Sequence, residues 1–269
     1  MGCNLCPREC NASRKGRDLG WCRSPWEITA ARAALHMWEE PVISGTCGSG
    51  TVFFSGCNLG CVFCQNRTIA QADRAKVITR ERLADIFLML QDQGAHNINL
   101  VTGSHYIPQI AAALKMAKEQ GLDIPVVFNT GGYDKAESLR LLEGLVDVWL
   151  PDLKYYDPVL ASRYANAPDY FDAASKAIDE MVRQAGRPVF VKAAEDPQYQ
   201  RSLAYRGRYK GPALLPDPVY DEGDEEEPLV LARKGVIVRH LLLPGHLDDS
   251  MKILRYLHER YQDQIWVSI

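Results

Sequence analysis

The sequence predicts an α/β fold, a partial (βα)6-type open parallel barrel with a Cys-rich N-terminal extension. Three observations carry this. Strand-like runs and amphipathic helical stretches alternate from residue 51 onward, the pattern of parallel strands joined by crossover helices. The alternation yields five strand–helix units and a sixth strand, short of the eight units of a closed barrel. Five of the eight cysteines fall before the alternation begins, at Cys3, Cys6, Cys10, Cys22 and Cys47.

The strands are expected at 51–55, 97–101, 125–129, 146–150, 236–243 and 265–269, and the helices near 79–93, 107–120, 134–143, 170–185 and 248–261. Two regions stand outside this alternation. Residues 1–47 form the Cys-rich extension, and 48–269 form the barrel with an inserted segment near 187–234. That insert is rich in Pro and acid, and its run Asp221-Glu222-Gly223-Asp224-Glu225-Glu226-Glu227 reads as a solvated loop.

Composition narrows the function classes. The 269 residues are 46% hydrophobic, enough for a substantial core, and the net charge of -3 gives no sign of a nucleic-acid-binding surface. No apolar stretch reaches the roughly 18 residues a membrane span requires. The start Met1-Gly2-Cys3-Asn4 lacks a basic-then-apolar signal segment, so eight cysteines imply a reducing compartment, the cytoplasm, rather than disulfides.

Cys57, Cys61 and Cys64 follow the apolar run Val52-Phe53-Phe54, where the first strand ends. Barrels of this kind keep their chemistry at the C-terminal ends of strands. A tetrahedral protein metal site wants four ligands, so three close thiolates with no fourth nearby read as a cluster with one iron left open. Cys3-x2-Cys6-x3-Cys10 with Cys22 offers four more thiols within twenty residues. They suit zinc or an auxiliary iron–sulfur cluster equally well. Cys47 stands alone and reads as a small buried or loop residue rather than a ligand.

The spacing Cys57-x3-Cys61-x2-Cys64, with Phe63 before the last Cys, resembles the motif of the radical S-adenosylmethionine (SAM) superfamily. Glu39-Glu40-Pro41, Ser44-Gly45, Gly48-Ser49-Gly50-Thr51, Asn97-Ile98-Asn99-Leu100-Val101-Thr102 and Leu150-Pro151-Asp152-Leu153-Lys154-Tyr155 resemble the branch related to pyruvate formate-lyase activating enzymes. The resemblance implies a 4Fe-4S cluster on the three thiolates, with SAM chelated to the open iron. Reductive cleavage of SAM then leaves a 5'-deoxyadenosyl radical, the cofactor doing the chemistry and the protein the positioning. A low-potential electron donor such as flavodoxin or ferredoxin is implied, and the substrate is a protein, a peptide or a small metabolite. Glycyl-radical activation is the natural guess within this reading.

The same resemblance marks SAM contacts. Asn129 and Thr130, before Gly131-Gly132, match a segment bordering SAM, and Gly permits close backbone approach there. Asp152 and Lys154 match another, and two apart on a strand end they share a side. Arg239 stands mid-strand in an apolar run, where an uncompensated charge is costly. It matches a SAM contact, and a SAM carboxylate would satisfy it; so would a structural partner such as Asp152. Most relatives carry Gly-Gly-Glu after the second strand, whereas this chain has Thr102-Gly103-Ser104-His105. Ser104 and the backbone around Thr102 and Gly103 can still accept from the SAM ammonium. His105 is a candidate for a substrate or quenching role, against the plainer reading of a packing residue, and His246 either approaches substrate or is exposed. The competing function is a non-enzymatic iron–sulfur electron carrier or a degenerate scaffold, which needs none of Asp152, Arg239 or the 129–132 loop.

Overall fold

A computed structural model describes residues 2–73, 75–206 and 229–269. The acidic run at 221–227 lies outside the described residues. In chain order the strands are β1 (Ile28–His36), β2 (Ser49–Phe54), β3 (Lys76–Ile78), β4 (Ile98–Val101), β5 (Val126–Thr130), β6 (Val148–Pro151), β7 (Val189–Lys192), β8 (Val230–Arg239) and β9 (Trp266–Ser268). The α-helices are α1 (Pro41–Ser44), α2 (Arg67–Ala70), α3 (Arg80–Asp92), α4 (Ile107–Glu119), α5 (Ala136–Leu139), α6 (Pro158–Ala165), α7 (Tyr170–Ala185), α8 (Pro197–Arg206) and α9 (Leu247–Tyr261).

Six strands run parallel in the order β2-β4-β5-β6-β8-β9. β1 pairs antiparallel with β2, β3 pairs with β1, and β7 lies antiparallel on β8. Among the described residues the two ends of this sheet do not pair, so the barrel is open, as the count of units predicts.

Three departures from the sequence expectation have physical reasons. β1, an Ala-rich stretch with little intrinsic strand character, lies within the 1–47 region yet is a member of the sheet, because β2 offers it a hydrogen-bonded edge. β8 begins at Val230, where β7 gives it a partner, and ends at Arg239 instead of 243. Leu241 and Leu242 are about half exposed, beyond the last pairing with β9. The helix expected at 134–143 shrinks to α5 and a 3-10 turn, Arg140–Leu142.

The pleat sorts residues onto two faces. Outward-facing Val52, Phe54, Leu100, Phe128, Trp149 and Val238 are buried against the helices in the main core. Inward-facing Val127, Val148, Leu150 and Ile237 form a second cluster, and Ile43 of α1 packs into it. α1 therefore closes the N-terminal end of the barrel. Asn97 donates to the Ile43 carbonyl at 2.7 Å, and the His96 ring accepts from the Cys47 N–H at 3.1 Å. Burying an isoleucine such as Ile43 stabilises by about 2 kcal/mol. Higher up, the inner face changes to Asn129, Asp152 and Arg239, and the site begins there.

Candidate active site

Beyond β2 the chain turns at Gly56 into the loop of three cysteines. Gly56 has φ +87°, and a Cβ there would stand 1.9 Å from the Ser24 hydroxyl, so the N-terminal extension packs where only glycine fits. The loop is tied to the barrel by backbone bonds, Gly60 N–H to the Ala165 carbonyl at 3.3 Å and Val62 N–H to that of Tyr164 at 2.9 Å. Cys57, Cys61 and Cys64 line a cavity of about 600 Å³. Thr102, Asn129, Thr130, Asp152, Lys154 and Arg239 line the same cavity. Their strands deliver them there: Asn129 and Asp152 continue the inward rows of β5 and β6, and Asp152 bridges Arg239 in parallel register.

The cavity's charges are paired with one another. Arg239 donates from Nε to Asp152 Oδ1 at 2.9 Å, from one terminal nitrogen to Glu39 Oε1 at 2.8 Å, and from the other to Asn129 Oδ1 at 2.7 Å. Lys154 is bonded to the second oxygen of Asp152. Burial alone would raise Asp152, but the charges of Lys154 and Arg239 outweigh it and hold the carboxyl below its usual range. Lys154 and Arg239 are each held above their ordinary values against burial, Asp152 being the largest opposing influence. Two of the cysteines are instead pushed toward their neutral form, burial raising Cys57 to about 12 and raising Cys61 as well. Such thiols stay protonated near neutrality unless a metal takes the proton's place.

Backbone strain and aromatic hydroxyls set the rim. Thr102 has φ +60°, uncommon for a residue with a Cβ. A Cβ on Gly132 would stand 2.1 Å from the Asp152 carbonyl, so this close approach of the β5 and β6 loops requires glycine. Tyr170 fixes both loops, donating toward the Gly131 and Asp152 carbonyls at 2.8 Å each.

Other sequence candidates lie elsewhere. Gly103 is pressed among Ile110, Phe128 and Phe54, and Ser104 is buried 3.4 Å from the Thr130 hydroxyl; neither lines the cavity. His105 is 1% exposed, with its Nε2 at 2.8 Å from the Ser55 carbonyl, and burial drives it down to about 3. His105 does not line the cavity, and the structure supports the plainer reading of a packing residue. His246 meets the Tyr164 hydroxyl at 3.0 Å and does not line the cavity. Cys6 and Cys22 are buried, Cys3 is partly buried and Cys10 is exposed, all outside the cavity. Cys3, Cys6 and Cys22 are near enough to influence one another. Among the described residues no three His, Cys, Asp or Glu side chains are gathered around a single-ion site.

Glu39, which the sequence offered only as part of a motif and not as a site residue, also lines the cavity. It stands 200 positions from Arg239 in the chain, so only the sheet brings them together. The available signal was Arg239 itself, a mid-strand charge in need of an acid.

These features coincide with a known class. Residues 51–193 match the radical SAM superfamily, and the chain belongs to it. The match contains the Cys57 loop and runs through Lys154, while Arg239 and the first four cysteines lie outside it. An uncharacterized protein of Methanocaldococcus jannaschii is 34% identical over 177 residues, which are 63% of this chain and 50% of that protein. The chain thus spans about half the length of the curated relative it matches. Membership implies a 4Fe-4S cluster, SAM and a reductant. Among the described residues no helix is long and apolar enough to cross a membrane.

Proposed function

We propose that this protein is a radical enzyme that cleaves SAM reductively and abstracts hydrogen from a carbon of a protein, peptide or small-molecule substrate. One observation carries the reading: three cysteines of one loop open into the same 600 Å³ cavity as Asp152, Lys154 and Arg239. An electron carrier has no use for such a polar chamber beside its cluster.

The donor set fits the cluster, three soft thiols on a loop pinned to the barrel. When bound, the cluster supplies the electron that splits SAM into methionine and the 5'-deoxyadenosyl radical. Cys57, Cys61 and Cys64 hold it. Arg239, oriented by its protein partners, keeps one N–H on each terminal nitrogen for a carboxylate. Lys154 adds positive charge near Cys61. Asn129, Thr130 and Thr102 supply polar contacts to the ribose and ammonium groups. Gly103 and Ser104 act from behind, through Thr102 and Thr130.

Trp38 and Leu241 line the cavity and remain 77% and 53% exposed. Large apolar groups left in water at a cavity's edge suit a polypeptide substrate. Glycyl-radical activation is the finer reading, supported by the resemblance of the 129–132 and 150–155 segments. A flavodoxin or ferredoxin supplies the electron, in the cytoplasm. Cys3, Cys6, Cys10 and Cys22 form a second metal centre, zinc or an auxiliary cluster, in the Cys-rich extension, 1–47 being read as that unit and 48–269 as the barrel.

Anaerobic reconstitution with iron and sulfide, followed by reduction with SAM, tests the central claim. The expected products are methionine and 5'-deoxyadenosine. A cluster that assembles and reduces but neither binds nor cleaves SAM would return the protein to the electron carriers.

A further inference from the structure

Glu39 lies between β1 and α1, on the segment that closes the floor of the barrel, yet its carboxylate reaches the residues at the rim. Its side chain is 10% exposed. One oxygen accepts from Arg239 at 2.8 Å; the other accepts from Asn99 at 2.9 Å and from Asn129 at 2.7 Å. Asn129 in turn accepts from Arg239 at 2.7 Å, so Glu39, Asn129 and Arg239 close a triangle of three hydrogen bonds. A buried carboxylate with this many donors is held firmly and holds its donors equally firmly.

The segment around Glu39 is itself anchored. Ser44 accepts from the Glu39 N–H at 2.9 Å, and Glu40 accepts from Ser268 of β9 at 2.9 Å. Ile43 is fixed in the inner cluster. Without Glu39, Arg239 keeps Asp152, which it shares with Lys154, and loses the bond that fixes one terminal nitrogen. Asn129 loses the acceptor for its amide.

We propose that Glu39 is a positioning residue for SAM: it orients Arg239 and Asn129 from the floor of the barrel and so ties the β1–α1 segment to cofactor affinity. This rests on the reading of the cavity as a SAM site. A carboxylate that only balanced charge would need no such triangle, and one placed for chemistry would not spend both oxygens on protein donors.

The test uses the reconstituted full chain and SAM itself, with Glu39→Gln, Glu39→Ala, Arg239→Lys and the double variant Glu39→Gln with Arg239→Lys. Glu39→Gln keeps size and fold while removing the charge. Expected are a roughly ten-fold weaker SAM affinity and higher KM, a kcat within about two-fold, and unchanged cluster absorption, with a larger loss in Glu39→Ala. The double variant should lose less than the product of the single losses, because the two residues act as one unit. Unchanged SAM affinity in a cluster-bearing Glu39→Gln, or strictly multiplicative losses, overturns the proposal. Failure of the unaltered protein to bind SAM instead overturns the function proposed above, so the two failures are distinguishable.

Discussion

The Cys57 loop and the N-terminal extension both contain closely spaced thiols, and burial raises Cys57 and Cys6 alike to about 12. They differ in what surrounds them. The loop follows a parallel strand and opens into a cavity bearing two cations and three acids. Among the described residues the extension has no strand before Ile28 beyond the Lys15–Asp18 bridge, and this part packs against the cysteine loop and the turn at His105. Thiol spacing alone thus does not tell the two groups apart; position on the sheet does.

The sharpest break of this comparison is Cys61→Ala against Cys22→Ala, both reconstituted anaerobically. Cys61→Ala is expected to abolish 5'-deoxyadenosine formation and to lose the cavity cluster's absorption. Cys22→Ala is expected to keep that absorption and to lose the metal proposed for the extension, measured by elemental analysis. Equal loss of the cavity cluster in both would make the two groups one site.

Next in size is the packing of the extension. Arg14 is fully buried, and its guanidinium donates to the carbonyls of Ser24, Pro25 and His105 while lying over the rings of Trp26 and Tyr106. Its removal leaves three acceptors, two buried and one partly buried, without their donor. At about 1 kcal/mol or more for each, Arg14→Ala should cost at least about 3 kcal/mol in denaturant unfolding. Lysine, lacking the planar fork, should not restore it. A loss below about 1 kcal/mol would mean that the extension contributes little to the barrel's stability.

Arg14 also marks what the sequence conveyed and what it withheld. The strand–helix alternation made the six parallel strands legible, since a 2-residue period and a 3.6-residue period are local properties. The cysteine loop and Asp152 with Lys154 were legible for the same reason, each being a short run at a strand's end. Arg14, Glu39 and β1 were not. Their roles depend on partners 91, 200 and about 20 residues away, and no local pattern tells which carbonyl, cation or strand edge the fold will deliver. His105 is of the same kind: the sequence offered both a packing role and a substrate role, and only the fold, with the extension covering the residue, favours packing.

That covering gives His105 a pH dependence of intermediate size. Burial lowers it from 6.5 to about 3, so the folded protein leaves it neutral where the unfolded chain protonates it. Stability from this residue is full above about pH 6.5 and falls as the pH drops toward 3, because the unfolded state takes up the extra proton. By pH 5 the loss amounts to about 2 kcal/mol. His105→Gln, which does not titrate, should flatten this limb of the stability–pH curve, measured on protein without metal. An unchanged limb would assign the acid sensitivity to other groups.

The smallest effect belongs to the outermost contact between extension and barrel, the ion pair of Glu9 with Lys135. Its side chains are 58% and 26% exposed, so water and salt screen the attraction and ordering two long chains offsets much of it. Arg8, by contrast, donates to the Asn58 carbonyl at 2.9 Å within the cysteine loop and stacks on Trp21 at 4.0 Å. Lys135→Ala should therefore change stability by less than about 1 kcal/mol, and by nothing measurable at high salt. Arg8→Ala should cost more and keep its cost in salt, because it unties a backbone group of the loop and exposes an aromatic face. If Lys135→Ala proved the more damaging of the two, the extension would be held by its charged rim, and the comparison drawn from burial would fail at that edge.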